Sequence, residues 1–455
     1  MSQFISTKNL ACAVNASPLK QYAALAMAAV LSGWVYIAYT LIDGIFIGRY
    51  VGQQALAALN LVTPLTYIPY AISVMVGVGG STLIARLLGE QRVTQAQRAF
   101  TQVLWAMLAL GVIVSGMVLI FKQEITLLLG ATGALADDVN AYLGIWGWFV
   151  LFSNGLYALE LFLRAEGPRA ARFGVFAMLL GALTNIALDY LLIVLKGMGL
   201  QGAALATGLS MMVSSCAMFA YHMTQAKRIV PVRRAFADCG ERYIIRVACN
   251  GASEFLSALA PVITVFVFNR VVLSNFGETG LAAYAVLEYI VLGATVTMIA
   301  LVESMQPIVS YYRGARNVAD LYRAFRVSVI ATVVFSVVVA IGTTMASRPL
   351  TFLFLPAGDE AWTILQPAVP WYALAFLPAA INLIVTGFLT ACEAPGPSAT
   401  IAVLRSWILL LGTVWVLDRC FGSAAIWYGV LVTELLTLVA SAWLYWRTTR
   451  NGVVT

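Results

Sequence analysis

The sequence predicts an all-α integral membrane protein: twelve transmembrane helices arranged as two six-helix bundles related by a pseudo-twofold axis. Three observations predict it. Of 455 residues, 61 % are hydrophobic and only 10 % charged, against roughly 25 % charged in an ordinary globular domain. Twelve apolar stretches are each long enough to cross a bilayer, which takes roughly 20 residues. Part of the second half also repeats the first at a fixed offset. With a mean hydropathy of +0.89, the chain has too few charges to solvate several soluble domains, so most of its surface faces lipid.

The stretches lie at 20–45, 56–85, 97–121, 138–163, 171–195, 201–224, 243–272, 281–308, 325–346, 362–391, 399–417 and 423–446. They are long and continuous. A transmembrane barrel would instead show segments of about ten residues with alternating polarity. The first run is too long for a signal-peptide core, and no small-residue cleavage site follows it. Connections are short and leave no room for a soluble domain. The longest polar stretch, KRIVPVRRAFADCGER at 227–242, suits a cytoplasmic linker between an N-terminal lobe (1–226) and a C-terminal lobe (243–455).

Lys and Arg collect in cytoplasmic loops. With the N-terminus inside, the inward segments hold 20 of them and the outward loops six: Arg49, Lys122, Lys196, Arg270, Arg348 and Arg419. Arg405 falls within a span. Both termini are therefore expected in the cytoplasm, with the chain multi-pass in the cell (inner) membrane. The net charge of +7 is then a topology signal and not a nucleic-acid footprint.

Other chemistries are excluded by what the chain lacks. Six scattered Cys without a CxxC pair do not make a disulfide scaffold. The single histidine, His222, leaves no His-based metal site and no Ser–His dyad of ordinary design. No HExxH, GxSxG or Walker-type string appears, so neither a membrane-embedded enzyme nor ATP-driven transport by this chain is expected. No cofactor is expected beyond a coupling ion.

Aligned on itself at an offset of 225 residues, the chain pairs VGQQALAAL (51–59) with FGETGLAAY (276–284), and LLGEQRVTQAQRAF (87–100) with YRGARNVADLYRAF (312–325). Gly52 falls on Gly277 and Gly89 on Gly314. A weaker echo links FLRAEGP (162–168) to FLTACEAPGP (388–397). Two halves in the same orientation imply a twofold axis along the membrane normal, the parallel-repeat plan of many secondary transporters, with a central cavity between lobes.

An ionised side chain at mid-membrane costs on the order of 2.5–3.5 kcal/mol by insertion scales, so such residues tend to be functional. Asp43 ends the first span in YTLIDGIFIG, with Tyr39 one turn earlier on the same face. In the fifth span, GALTNIALDYLLI spaces Asn185 and Asp189 likewise, and Thr207 in GMGLQGAALATGLS adds a hydroxyl from the sixth. If these helices meet, two carboxylates, an amide and hydroxyls share one dry pocket. Such a pair titrates as a coupled unit. It takes up a proton, or holds Na⁺ through hard oxygens. The bland alternative has Asp43 capping a helix end while Asn185 and Asp189 satisfy a neighbouring helix.

Further carboxylates are candidates for the substrate cavity: Glu254 in CNGASEFLSALAP, Glu288 in AVLEYIV and Glu303 in ALVESMQP. Local hydrogen bonding is the competing reading for each. Asn154 in LFSNGLY either lines the cavity or joins two helices. Glu160 and Glu434 are expected to pair with a nearby helix or to snorkel.

The strings DGIFIGRYVG (43–52), ALAALNLVTPL (55–65), RAEGPRAA (164–171), NIALDYLLI (185–193), GMGLQGAALAT (197–207), GASEFL (251–256) and QPIVSYYRGA (306–315) are individually weak. Their order and spacing, from about residue 20 to 446, resemble the multidrug and toxic compound extrusion (MATE) family, in its DinF-like, MepA-type branch. The resemblance implies a V-shaped twelve-helix antiporter that expels cationic drugs in exchange for H⁺ or Na⁺. Carried over by position, its acidic cluster is Asp43, Asn185, Asp189 and Thr207, with Tyr39 as the helix-1 tyrosine and Glu254 in the place of the helix-7 glutamate that other branches use. Many relatives carry a proline early in helix 1. Here YAALAMAAVLSGWVY has none, and Gly33 is the expected point of bending.

The expected function is multidrug efflux by alternating access, with small organic cations or drugs and the bilayer as partners, no nucleic acid, and a monomeric chain. The alternative is a flippase of a lipid-linked precursor, which would call for several cavity-facing Arg or Lys against a pyrophosphate.

Overall fold

Lipid offers no hydrogen bonds, so long apolar runs close their backbone groups on themselves as helices. The computed structural model describes residues 17–232, 243–345, 360–450 and 452, and among them no strand occurs. Twelve helices are long and apolar enough to cross a membrane. The first bundle holds α1 (Pro18–Val51), α2 (Gln53–Gly89), α3 (Val93–Ile120), α4 (Ala134–Glu166), α5 (Pro168–Leu195) and α6 (Gly199–Thr224). The second begins with one helical run, Tyr243–Gly314, broken at Gly277 (φ 64°, ψ −160°) into α7 (243–276) and α8 (278–314). It continues with α9 (Val318–Met345), α10 (Glu360–Ala391), α11 (Pro395–Phe421) and α12 (Gly429–Arg450).

Several helices run up to about a turn or more past the apolar stretches of the sequence, and many of the added end residues are exposed. Helix α8 contains the expected stretch 281–308 and continues to Gly314. A short surface helix, Lys122–Leu128, also fills the connection after α3. The expected linker at 227–242 is described only to residue 232.

The repeat is visible in the backbone. Left-handed residues recur 225 positions apart: Gly52 (φ 115°) with Gly277 (φ 64°), Gln91 (φ 61°) with Arg316 (φ 54°), and Gly197 (φ 62°) with Gly422 (φ 85°). Each pair ends equivalent helices in the two halves. Gln91 and Arg316 carry side chains in a region that disfavours them, so the shared turn geometry is imposed by the packing of the helices it joins.

The lobes meet along α2, α7 and α8. A Cβ on Gly79 would collide with the Val247 carbonyl, and one on Gly251 with the Met75 carbonyl. Nearer the helix ends, a Cβ on Gly89 would strike Tyr311 and Ala315, and one on Gly314 would strike Arg86 and Glu90. Glycine at all four positions lets the backbones touch, as small residues do between membrane helices. Asn250 Nδ2 adds a hydrogen bond of 2.9 Å to Thr82 Oγ1 across the same seam.

The seam is a wedge. Met75, Gly79, Thr82, Arg86 and Gly89 lie on one stripe of α2, at helical spacing. The same stripe continues towards the start of α2 through Ala57, Asn60, Pro64 and Ile68, and there it is exposed. The lobes therefore touch at the face carrying the α2–α3 and α8–α9 turns and part towards the opposite face, which leaves a cleft between them.

Helix α1 belongs to both cores. Tyr22, Leu25, Ala26 and Ala28 are buried with Met305, Ile308 and Phe388 of the second lobe, whereas Ile47 is buried with Val62, Tyr142 and Ile193 of the first. The helix passes through Gly33 without interruption. A Cβ there would lie 2.8 Å from Val296 Cγ1. Gly33 thus admits α8 to α1.

Candidate functional site

Asp43 and Asp189 come together. Their carboxyls, on α1 and α5, are close neighbours. Asp189 and Asn185 are completely buried. Oδ1 of Asp43, both carboxyl oxygens of Asp189, and both polar side-chain atoms of Asn185 are buried without a hydrogen-bond partner. Ionised carboxylates only accept hydrogen bonds. Two of them face to face, with a neighbouring amide unsatisfied, call for something between them that supplies positive charge. The donor set of carboxylate, amide and phenol oxygens fits a shared proton or Na⁺.

Tyr39, one turn before Asp43, is buried, and a second buried phenol, Tyr142 of α4, lies near both carboxyls. Tyr142 was not legible as a site residue, because a tyrosine in a span reads first as packing or as part of an interface belt. Thr207 is half-buried on α6. Its carbonyl accepts from Ser210 Oγ at 2.7 Å, and its hydroxyl makes no hydrogen bond to the carboxyls. Directly beyond the acidic pair the backbone widens into π-helical turns, Ile47–Val51 on α1 and Tyr190–Leu195 on α5. Single π turns inside helices recur at functional sites.

A line of tyrosines leads from this pair to the seam. Ring centroids lie 5.3 Å apart for Tyr39–Tyr36, 5.8 Å for Tyr36–Tyr157, 4.7 Å for Tyr157–Tyr70 and 6.3 Å for Tyr70–Tyr67. They come from α1, α2 and α4, so no sequence spacing reveals them. Tyr70 lies in the neighbourhood of Glu254 and Glu303 of the second lobe, and Tyr67 in that of Glu288.

The remaining carboxylates differ from the pair because most have partners. Glu303 takes a 2.8 Å bond from Arg164 of the other lobe, and Arg164 also holds Glu160, one turn earlier on α4, at 2.7 Å. Glu254 accepts from Gln306 Nε2 at 3.0 Å. Glu288 sits among Tyr67, Tyr284 and Tyr372. Glu434 is bonded by Arg405 and Asn382, at 2.8 Å each. Asn154 does not line the cleft. It is buried and donates to the Met107 carbonyl at 3.2 Å, joining α4 to α3 because an amide in lipid-covered packing needs an acceptor nearby.

Charge also gathers where the seam closes. Glu393, between α10 and α11, has a left-handed backbone (φ 50°). Its carboxylate receives Arg86 of the first lobe at 3.1 Å and Arg246 of the second at 2.7 Å. Several bases counted as loop charges, Arg86 and Arg164 among them, thus hold the lobes together.

Comparisons agree with this architecture. The chain is 25 % identical over 406 residues, 89 % of its length and 88 % of the relative's, to the multidrug export protein MepA of Staphylococcus saprophyticus subsp. saprophyticus. It is also 25 % identical over 410 residues to the MepA of Staphylococcus aureus, with the same coverage. A solved multidrug resistance MATE family transporter of the MOP superfamily, in an outward-facing conformation, has the same fold, with a TM-score of 0.89 at 22 % identity over 96 % of this chain and 97 % of that one. A MOP superfamily transporter from Pyrococcus furiosus gives 0.88 at 22 % identity, covering 95 % and 96 %. The MatE family model matches twice, over residues 28–191 and 252–415, and these equal segments are the two lobes that the repeated turns had outlined. With two copies of that unit enclosing one cleft, the chain belongs to the MatE family.

Proposed function

We propose that this protein is a secondary active exporter of drugs and organic cations, driven by inward movement of H⁺ or Na⁺. The observation that carries the reading is the unpaired acidic couple Asp43–Asp189 on a helix that also enters the core of the other lobe. A cation entering the couple removes the repulsion between its carboxyls and changes how the far end of α1 packs. The near end of α1 holds α8 through Gly33 against Val296, a 3.1 Å bond from Trp34 Nε1 to Thr297, and one of 3.3 Å from Tyr22 to the Leu301 carbonyl. Ion occupancy in one lobe is thereby linked to the fit between lobes, the coupling an antiporter requires.

The excess of Lys and Arg supports a cytoplasmic closed end of the wedge, with both termini, and a cleft that faces outward across the cell membrane. A single chain contains both lobes and acts as a monomer, with no cofactor beyond the ion. The curated relatives are multidrug export proteins, which supports a broad substrate range. A flippase is not favoured, since Arg405 within a span and Arg164 at the end of α4 are each bonded to glutamate and leave no cluster for a pyrophosphate.

The test is purified protein in liposomes, with a pH or Na⁺ gradient imposed separately while export of rhodamine 6G is followed. Asp43→Asn and Asp189→Asn each abolish gradient-driven flux and leave membrane insertion intact. Normal driven flux in both variants removes the ion site.

A further inference from the structure

The turn that ends α10 places a carboxylate where helices of this kind usually place glycine. Glu393 N donates to the Thr390 carbonyl and Ala394 N to the Leu389 carbonyl, at 2.9 Å each. That pair of bonds puts the residue after the helix cap in the left-handed region, which favours glycine. Here it is Glu393, at φ 50°. Its carboxylate is shared between the lobes. Arg86 Nη1 of α2 comes from the first lobe and lies 3.1 Å from each carboxylate oxygen. From its own lobe, Arg246 of α7 reaches Oε2 through Nε at 3.0 Å and Nη2 at 2.7 Å, and Arg313 of α8 stands 4.0 Å from Oε1. Arg86 is shared as well: its Nε lies 3.1 Å from Glu90, one turn further along α2.

Each charge in the crossing pair thus has a second partner of opposite sign in its own lobe. Breaking a secluded ion pair is costly chiefly because it strands an uncompensated charge. When this seam parts, Arg86 keeps Glu90, and Glu393 keeps Arg246 and Arg313, so neither is stranded. While the seam is shut, Glu90 and Glu393 compete for one guanidinium and repel each other, as Arg86 and Arg246 do around one carboxylate. The own-lobe partners therefore ease opening, and the crossing bond resists it. Resting on the alternating-access reading above, we propose that Glu393 is the bolt of an exchangeable latch at the closed face: Arg86 is held by Glu393 when the seam is shut and handed to Glu90 when it parts.

The test reads seam opening directly. Thr82 is completely buried and bonded to Asn250 across the seam. With the six native cysteines replaced, Thr82→Cys is labelled by a charged maleimide only when the lobes part, so the labelling rate follows the parted fraction. In that background Glu393→Gln should speed labelling about tenfold, the scale of one lost hydrogen bond between charged groups. Glu90→Gln and Arg246→Gln should each slow it severalfold, because the crossing pair then loses its competitor. A static brace predicts the opposite sign for these two, since removing any member loosens it. Equal or faster labelling in Glu90→Gln and Arg246→Gln overturns the exchange, and an unchanged rate in Glu393→Gln overturns the latch. Glu90→Gln alters one partly exposed side chain at the end of α2, so the sign of its effect decides even if Glu393→Gln does not fold. Gradient-driven flux of rhodamine 6G, measured on the same wild-type protein, separates the two readings. Absent flux overturns export while the order of labelling rates still supports the latch, and normal flux with the wrong order overturns the latch alone.

Discussion

Closure of the seam depends on backbone contact at glycine, and Gly89→Ala tests that dependence. The added methyl would lie 2.9 Å from Ala315 N and 3.0 Å from the Tyr311 carbonyl carbon, with the Tyr311 oxygen closer still. All three are backbone atoms, so no side chain can rotate away, and α2 and α8 must separate. Overpacking of this kind costs about 1–3 kcal/mol. The cost applies only while the lobes touch, since a parted seam leaves the methyl in open space. The ratio of closed to parted states should then fall by about 5- to 150-fold. Gly251→Ala, against the Met75 carbonyl at the other crossing, should act alike.

The assay uses double electron–electron resonance between spin labels at Arg92→Cys and Arg323→Cys, in a background with the six native cysteines replaced. Both side chains are well exposed, at 56 % and 72 %, one in the α2–α3 turn and the other near the start of α9, on opposite lobes at the closed face. The wild type gives one short distance. Each alanine variant should convert a large share of it to a longer distance, and Gly116→Ala, where no atom lies within reach of the new methyl, should not. An unchanged short distance in both Gly89→Ala and Gly251→Ala, in folded protein, would refute the claim that glycine contact closes this face.

Three further outcomes follow from the charge pairing. Asp189→Asn should retain or raise the melting temperature while losing coupled flux, because the wild-type carboxylates have no protein donor to lose; a clear drop in thermal stability would mean the pair is structural. Arg164→Ala leaves Glu160 and Glu303 buried without their guanidinium and should cost about 3–5 kcal/mol, read as a large fall in melting temperature in detergent, whereas Glu160→Gln should keep more than half of the transport activity. Tyr142→Phe removes a buried phenol near both acidic carboxyls and should raise the ion concentration for half-maximal flux without changing expression, because a polar group acts strongly on a charge at low local dielectric.

Much of this was readable along the chain. Twelve apolar stretches, the bias of Lys and Arg and the offset of 225 residues give the spans, the proposed orientation and the two lobes. These follow from local facts: each span hydrogen-bonds its own backbone, and lipid selects apolar side chains one position at a time. The i to i+4 spacing of Tyr39–Asp43 and Asn185–Asp189 marked polar faces within single helices in the same way. Asn154 shows the limit of such reasoning, because an amide's acceptor can belong to another helix, here the carbonyl of Met107.

Which buried charges are neutralised could not be read from spacing. Glu303 meets Arg164, 139 residues away, and Glu434 meets Arg405, 29 residues away, while Asp43 and Asp189 meet only each other. All of these look alike as acidic letters in oily runs. Helix docking separates them, since the energy of a carboxylate depends on the group it is pressed against, and that neighbour comes from another part of the chain. The same holds for the wedge: glycines on α2, α7 and α8 are permissive letters until two backbones are brought into contact, and that contact determines which end of the cleft is shut.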